Sequence, residues 1–387
     1  MQLVFCRRQK LAILHSTFNI LIIMSIILFI VILAMLILVH ELGHFIAAKR
    51  AGVRVDEFGI GFPPRLWSKK AGETVYSVNT FPVGGFVKIF GEDPNEESLN
   101  GEQVSRSLTS KSKLTQAWII SAGVVFNLLF AWMLISIGFM IGQPFPSSDP
   151  MYGSRVENPA LTIMRVSSET PAYEAGLKAG DIILSVASRG DSLTNPSVEA
   201  TRRFIASHEK IKLTYLRDGE QAVVDISSIE GIVSGSRAIG ISMDTIGVLN
   251  LPVHNALYAG LVTTVSVTSE MAVGLLDFFK KIFIGQGSLN GVSGPVGIVG
   301  IVGDASHLGV IHLLSLTAII SINLAIINLL PFPALDGGRL LFIIIEVLKR
   351  SPIKPEIANI TNGIGFLVLI AFMVFITFHD IVKIVEG

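Results

Sequence analysis

The sequence LIIMSIILFIVILAMLILVHELGH occupies residues 21–44. Its first 19 residues carry no charge, and a membrane-spanning helix needs roughly 20 apolar residues. On such a helix His40 and His44 lie one turn apart on the same face, so both imidazoles can reach one metal ion. Glu41 is offset by about 100° on the same turn, where it can contact a metal-bound water. The pattern therefore predicts two zinc ligands and a general base.

The same pattern also occurs by chance in polar helices of soluble proteins. Its place at the end of an apolar run argues against chance in this chain. A charged side chain within hydrocarbon costs about 2.5–3.5 kcal/mol on insertion scales, so Glu41 needs a compensating partner. A metal-bound water is such a partner, and the position of the motif therefore favours a metal centre.

Composition indicates a membrane protein. Half of the 387 residues are hydrophobic and 16% are charged, whereas soluble domains carry about 25% charged residues. The formal net charge is zero, which gives no indication of nucleic-acid binding. Cys6 is the only cysteine, which excludes a disulfide within the chain and a cysteine-based metal site.

Apolar segments predict a polytopic α-helical membrane protein with about four transmembrane helices. These spans are residues 21–47, 114–141, 308–330 and 360–378. Segment 253–284 contains Glu270 and Asp277, so we expect a surface-lying or partly inserted helix there, with a short span as the alternative. Residues 340–348 predict a further apolar helix.

The start of the chain is open to two interpretations. Arg7, Arg8 and Lys10 resemble the basic region of a signal peptide, but no small-residue cleavage site follows. We therefore expect the first span to be retained. Translation from Met24 would also give a complete span, so Met1 and Met24 both remain possible starts.

Residues 49–113 predict a small β element. Segments 53–58, 74–79 and 85–89 read as strands, and the cluster at 59–64 reads as a turn. The element is apolar enough to contact a membrane surface, although an ordinary small β core explains its composition equally well.

Residues 142–250 have the composition of a soluble domain. Residues 143–159 predict a linker rich in proline, serine and glycine, which a compact α+β domain of about 95 residues follows. We expect five or six strands, the last at 238–243, and two helices. Asp218-Gly219 predicts a hairpin between the strands 211–216 and 221–226.

Asp336 is the candidate third ligand. It follows Pro331 and Pro333, which break the preceding helix, and it precedes two glycines. Irregular backbone at membrane depth is tolerated where it lines a cavity, and two imidazoles, one carboxylate and an open position form a catalytic zinc site. The alternative is a helix-capping Asp at the surface. Asn127, within the second span, predicts a hydrogen bond to a neighbouring helix.

These motifs together resemble those of bacterial site-2 proteases, which are zinc metalloproteases of regulated intramembrane proteolysis. Their order and spacing extend over nearly the whole chain. One departure is Val124, where the family usually has proline. Residues 170–181 resemble the bacterial PDZ pattern, with one such domain evident where some relatives carry two. The matching segments are HELGH at 40–44, FPVGGFVK at 81–88, SAGVVFN at 121–127, GPVG at 294–297 and NLLPFPALDGGR at 328–339.

The resemblance implies a role for each matching residue. His40, His44 and Asp336 would bind Zn²⁺, and Glu41 would activate a zinc-bound water. The β element would be membrane-associated and present an extended substrate, and Gly294-Pro295 would lie near the path of the substrate. The implied substrate-binding residues are Asn328, Gly84, Gly85, Pro331 and Pro333.

The predicted domain order follows from the spans and this resemblance. Residues 1–48 form the N-terminal extension and the first transmembrane helix, and residues 49–113 form a cytoplasmic loop with the β element. The remaining segments are the second transmembrane helix at 114–141, the linker and PDZ-like domain at 142–250, the amphipathic segment and Gly-Pro loop at 251–307, and the third and fourth transmembrane helices at 308–387.

Charge in the loops predicts a multi-pass protein of the bacterial inner membrane. The basic loops favour the cytoplasm, which places the PDZ-like domain and both termini outside. The basic residues before residue 11 conflict with an outside N-terminus, and a start at Met24 removes this conflict. The expected partners are the lipid bilayer, transmembrane protein substrates, an upstream site-1 protease and peptide C-termini bound by the PDZ-like domain.

The leading hypothesis is an intramembrane zinc endopeptidase that cleaves transmembrane segments of pre-trimmed proteins, such as anti-sigma factors or signal-peptide remnants. A non-catalytic membrane scaffold with a peptide-binding PDZ domain and a structural metal is the alternative. Glu41 discriminates between these two, because a scaffold has no use for a general base. A metal transporter would explain neither the PDZ-like domain nor the proline-broken segment before Asp336.

Overall fold

The computed structural model describes residues 2–92, 101–217, 219–233, 235–286 and 292–386. The basic side chains that bear on the start of the chain lie outside the described residues. The chain forms two compact units. Residues 1–138 and 257–387 form the first, called the helical unit below, and residues 139–256 form the second, called the β-rich unit.

Nine α-helices lie in the described ranges, and the long ones coincide with the apolar segments. They are α1 Gln2–Arg50, α2 Lys113–Ile141, α3 Pro171–Glu174, α4 Val198–Ser207, α5 Val253–Phe283, α6 Pro295–Leu308, α7 Val310–Leu329, α8 Asp336–Lys349 and α9 Pro355–Glu386.

Eleven β-strands lie in the same ranges. They are β1 Val55–Ala71, β2 Thr74–Ile89, β3 Gln143–Pro146, β4 Glu157–Val166, β5 Ile182–Ser188, β6 Asp191–Thr194, β7 Lys210–Arg217, β8 Glu220–Ser227, β9 Ile229–Val233, β10 Ser236–Ala238 and β11 Ile241–Leu249.

Among the described residues, five helices are long and apolar enough to cross a membrane. Four of them, within α1, α2, α7 and α9, correspond to the predicted spans. The fifth is α5, whose best 18-residue window has a mean hydropathy of 1.4, the lowest of the five. The Ser, Thr and acidic residues that favoured a surface position do not interrupt this helix. Asp277 pairs with Lys281 one turn later at 2.7 Å, which offsets part of the charge.

The Gly-Pro segment is more regular than predicted. Pro295 begins α6, since a proline fits the first turn of a helix, and Gly309 at φ +105° ends it. The following span therefore begins at Val310 rather than at 308. Buried Asp380 of α9 accepts hydrogen bonds from the backbone N–H groups of Gly294 (3.1 Å) and Gly297 (2.8 Å), which ties the start of α6 to α9.

The β element is a sheet folded back on itself. Residues 57–60 of β1 pair with residues 85–88 of β2 and also with residues 75–78 of β2. The three predicted strands therefore exist, but the predicted turn at 59–64 is wrong, because β1 runs through it with shifted register. Gly61, at φ +78°, lets the strand bulge there instead of reversing.

Glu73, in the turn between β1 and β2, attaches this sheet to its surroundings. Arg106 and Lys49 both contact its carboxylate at 2.6 Å. Hydrogen bonds from Arg106 and then Lys49 lower the pKa of Glu73 to about 2. The end of α1 and the loop before α2 are thereby held against the hairpin. An apolar core beneath it includes Ala48, Val53 and Ile119.

The β-rich unit contains a sheet in the order β3-β11-β4-β5-β7-β8, with β6 also paired to β5. The predicted hairpin is confirmed, since residues 210–217 pair antiparallel with residues 220–227. Asp218 itself lies outside the described residues. Leu161, Ile163, Leu213 and other buried residues form the core of this unit.

Three predictions for this unit are wrong. The predicted linker at 143–159 contains β3 and the start of β4. Its prolines favoured a linker, but proline is tolerated on an edge strand such as β3. The unit has nine described strands instead of five or six. The predicted last strand at 238–243 is divided by Gly240, at φ +88°, into β10 and β11.

Candidate metal centre

The three predicted ligands meet at one point within the helical unit. The Nε2 atoms of His40 and His44 lie 3.2 Å apart. Oδ2 of Asp336 lies 3.0 Å from Nε2 of His40 and 3.3 Å from Nε2 of His44. Both histidines are buried. One position can therefore be reached by two nitrogens and one oxygen from α1 and α8.

These residues fit a zinc ion. Zinc binds His nitrogen and carboxylate oxygen at about 2.0–2.2 Å in tetrahedral sites, which places ligand atoms roughly 3.3–3.6 Å apart. The observed separations are within a few tenths of an ångström of that range. Oδ2 of Asp336 is also buried without a hydrogen-bond partner, and a bound cation satisfies such an atom.

Two glycines make room for the centre. A Cβ at Gly43 of α1 would lie 2.4 Å from the carbonyl oxygen of Ala122, so the two helix backbones are in contact there. A Cβ at Gly123 of α2 would lie 2.5 Å from Nε2 of His44 and 2.8 Å from Nε2 of His40. A side chain at Gly123 would therefore occupy the space where the ligand atoms converge.

Hydrogen bonding sets the orientation of His44. Its Nδ1 lies 2.9 Å from the carbonyl oxygen of Ile119 in α2. A carbonyl can only accept, so Nδ1 carries the proton and Nε2 presents its lone pair to the metal position. A partner of this kind raises the basicity of the ligand and fixes its ring.

Asn127 performs the same task for His40. Its amide lies 3.4 Å from Nδ1 of His40, with Nδ2 placed nearer and buried Oδ1 without a partner. Exchanging O and N by turning the amide lets Oδ1 accept the Nδ1 proton, which leaves Nε2 of His40 free for the metal. The predicted interhelical hydrogen bond of Asn127 is thus confirmed, and its partner is one of the predicted metal ligands. The hydroxyl of Ser321 of α7 donates a hydrogen bond to the backbone carbonyl of Asn127 at 2.8 Å.

Glu41 faces the cavity that contains the three ligands. This cavity has a volume of about 290 Å³, and Phe86 and Val87 of β2 also line it. The Glu41 carboxylate lies close to the backbone of Val87. Glu41 therefore lines the same cavity as the three candidate ligands and strand β2, a position compatible with its predicted role as a base.

The predicted substrate-binding residues are distributed unevenly. Nδ2 of Asn328 lies 3.5 Å from Nε2 of His40, and a Cβ at Gly85 would lie 3.7 Å from Cγ of Glu41. Gly84, at φ +105°, instead approaches the ring of Phe62. Pro331 is exposed. Pro333 contacts α9, because a Cβ at Gly365 of that helix would lie 2.6 Å from Cβ of Pro333. In the described residues neither proline lines the 290 Å³ cavity.

Sequence reasoning missed three polar residues that line this cavity, namely Glu92, Arg339 and Asn362. Asn362 of α9 accepts the backbone N–H of Ala334 at 3.3 Å, which supports the irregular segment before Asp336. Arg339 could have been found from spacing alone, because it lies three residues after Asp336 and so shares its helix face. No sequence signal indicated Asn362.

Two histidines, a carboxylate and a facing glutamate define the class of zinc-dependent peptidases. The particular family follows from comparison with known proteins. Residues 28–372 match the profile of peptidase family M50, and the chain belongs to this family, that of the site-2 proteases. The protein is thus a zinc metalloprotease of the membrane, with several helices long and apolar enough to span it.

Individual relatives agree with this assignment. The chain is 34% identical to all3971 of Nostoc sp., described as a zinc metalloprotease, with 91% of this chain and 94% of that protein covered. It is 29% identical to the regulator of sigma-W protease RasP of Bacillus subtilis, with 93% and 99% covered. The PDZ domain of an SdrC-like protein from Listeria monocytogenes aligns with 22% of this chain and 86% of that one, at 24% identity. Its TM-score of 0.19 is too low to define the fold of the β-rich unit.

Proposed function

We propose that this protein is an intramembrane endopeptidase that hydrolyses peptide bonds in transmembrane segments of membrane proteins. Its substrates would be pre-trimmed by another protease, as anti-sigma factors and signal-peptide remnants are. The observation that carries this proposal is the convergence of His40, His44 and Asp336 with Glu41 on a helix apolar enough to span a membrane.

The chemistry assigns one task to each group. When bound, zinc supplies Lewis acidity, which polarises a peptide carbonyl and lowers the pKa of water to about 7. Glu41 accepts a proton from the attacking water and delivers it to the leaving nitrogen as the C–N bond breaks. The products are a new carboxyl terminus and a new amino terminus. His40, His44 and Asp336 hold the metal, and Asn127 holds His40.

Strand β2 supports the proposed mode of substrate binding. A helical segment must unwind before its carbonyl groups can react, and unwinding exposes backbone polar groups that hydrocarbon cannot satisfy. Residues 85–88 pair with β1 on one edge, and Phe86 and Val87 face the metal cavity. Pairing of an extended substrate with this segment would satisfy those groups. Asn328 would bind substrate backbone beside His40, and Gly84, Gly85, Pro331 and Pro333 would shape the approach.

The proposed location is the bacterial inner membrane. The β-rich unit would act on the extracytoplasmic side as a PDZ-like domain that binds peptide C-termini, and a site-1 protease would act upstream. The non-catalytic scaffold is disfavoured by Glu41, because a structural metal requires no carboxylate base beside it.

The test compares the wild-type protein with Glu41→Gln in detergent, using a tagged model transmembrane segment, with and without chelator. We expect Glu41→Gln to lower the cleavage rate by about 100-fold or more while zinc content is retained, and chelator to abolish wild-type cleavage. Glu270→Gln, an exposed change on α5, is the matched control and should cleave normally. Full activity of the Glu41→Gln protein would overturn the proposal.

A further inference from the structure

One face of α8 leads away from the metal centre. Asp336, Arg339, Ile343 and Glu346 follow the spacing that places side chains along one side of a helix. Asp336 points at the histidines, so Arg339 is directed toward the same cavity by its position one turn later. Arg339 lies close enough to Glu41 for an electrostatic interaction.

A second, larger cavity lies next to the metal cavity. Its volume is about 620 Å³, and it is lined by the further members of the same α8 face, Ile343 and Glu346. The residues that line both cavities form the neck between them. The neck consists of Glu92, Leu108, Ile120, Arg339 and Asn362.

Two residues of this neck form an ion pair. Arg339 pairs with Glu92, and the side chains are 34% and 22% exposed. In the described residues no lysine and no other arginine lines the metal cavity. Arg339 is therefore the one permanent cation among the described residues that line the metal cavity.

Hydrolysis creates a charge that this cavity has to accommodate. Water adds to the peptide carbonyl carbon, the C–N bond breaks, and one fragment then ends in a carboxylate. A charge in a partly buried site is costly unless it is paired, and arginine binds carboxylates through two parallel hydrogen bonds. Exchange of one carboxylate for another at Arg339 keeps the guanidinium paired throughout.

We propose that Arg339 binds the new carboxyl terminus of the cleaved substrate, which displaces Glu92 and directs that fragment from the metal cavity into the 620 Å³ cavity. The proposal rests on the proposed function, since it needs peptide hydrolysis at the metal centre. Glu92 keeps a second contact after displacement, because the backbone N–H of Ile89 lies 3.4 Å from its Oε2.

The chain offers a matched control pair. Lys113 and Glu346 form an ion pair at 2.6 Å, and both line the larger cavity without lining the metal cavity. This pair resembles Arg339–Glu92 in charge and cavity, but it is separated from the reacting atoms. Removing the charge of Lys113 tests whether any cation in the larger cavity could bind the new carboxylate.

The experiment measures binding of a product without turnover. The N-terminal fragment released from the model transmembrane segment is prepared with a free carboxylate and with a terminal carboxamide, and Kd is measured for both on zinc-loaded protein in detergent. We expect the wild type to favour the acid by about tenfold or more. Arg339→Gln should bind both forms equally, and Arg339→Lys should retain part of the preference.

Glu92→Gln separates this role from a structural one. Removal of the competing carboxylate should tighten acid binding several-fold, whereas Arg339→Gln weakens it; a merely structural ion pair would shift both variants in the same direction. Lys113→Gln should leave the preference unchanged. Zinc content, measured for every variant, confirms an intact centre.

If Arg339→Gln still binds the fragment with a free carboxylate more tightly than the carboxamide, the zinc ion binds the carboxylate and the proposal is overturned. Equal binding of the two fragments by the wild type would also overturn it. Either result differs from failure of the proposed function, which is full cleavage by Glu41→Gln.

Discussion

The metal centre and the core of the β-rich unit differ in how specific the contribution of each residue is. At the centre, His40, His44 and Asp336 can each offer one ligand atom to a metal ion. Gly123 leaves space for these atoms, and Asn127 contacts the ring of His40. In the β-rich unit, 13 buried apolar residues pack together, and each contributes by the same non-directional burial. Substitutions at the centre should therefore change zinc binding with little effect on the fold, and substitutions in the core should do the reverse.

The largest effect on zinc affinity is expected from Gly123→Ala. Its Cβ would lie 2.5 Å from Nε2 of His44, a distance that forces the ligand to move. Changes outside the ligands already cost 10–100-fold in metal affinity, and we expect about 100-fold because this one displaces a ligand atom. Competition with a chelator measures it. Gly300→Ala, on α6 with no atom within 4 Å of its Cβ, is the control. Equal zinc affinities of the two variants would contradict the proposal that Gly123 leaves space for the ligand atoms.

A smaller effect is expected from Asn127→Ala. Without the amide, His40 loses the acceptor for its Nδ1 proton, and zinc affinity should fall by about tenfold. Asn127→Asp supplies a carboxylate acceptor at the same place, so it should bind zinc close to normally. The same chelator competition distinguishes the two. Unchanged affinity of Asn127→Ala would show that the interaction with His40 is not needed to orient the ring.

The smallest effect on zinc affinity is expected from Leu213→Ala in the β-rich unit. Leu213 is fully buried in the core of that unit, so truncation should lower the free energy of unfolding by about 2–5 kcal/mol. Denaturant-dependent proteolysis within residues 139–256 of the intact protein measures this loss. Zinc affinity should stay within about twofold, and a loss comparable to that of Asn127→Ala would break the contrast.

The same contrast explains what the sequence could predict. His40, Glu41 and His44 are spaced by one helix, and Asp336 stands out because prolines and glycines surround it. Local pattern therefore identified these four residues as candidates, and Asp336 was favoured as a ligand only in combination with the two histidines. Arg339 was within reach of the same spacing rule but was not identified. Asn127 was found as a polar residue in a span, but its partner depends on how two helices pack, which no local pattern encodes.

The β-rich unit was less predictable for a related reason. Strand β3 exists because residues 143–146 pair with residues 246–249, about a hundred positions later in the chain. Its prolines indicate a linker when they are considered alone. Helix α5 was harder to classify than the other long apolar helices, because the burial of its few polar groups depends on what packs against them and not on composition.

Zinc X-ray absorption of the purified, metal-loaded protein tests the central claim most directly. Coordination by His40, His44 and Asp336 predicts one zinc per chain, with nitrogen and oxygen ligands at about 2.0–2.2 Å, two of them imidazoles, and no sulfur. A sulfur ligand at about 2.3 Å or the absence of imidazole scattering would contradict the account.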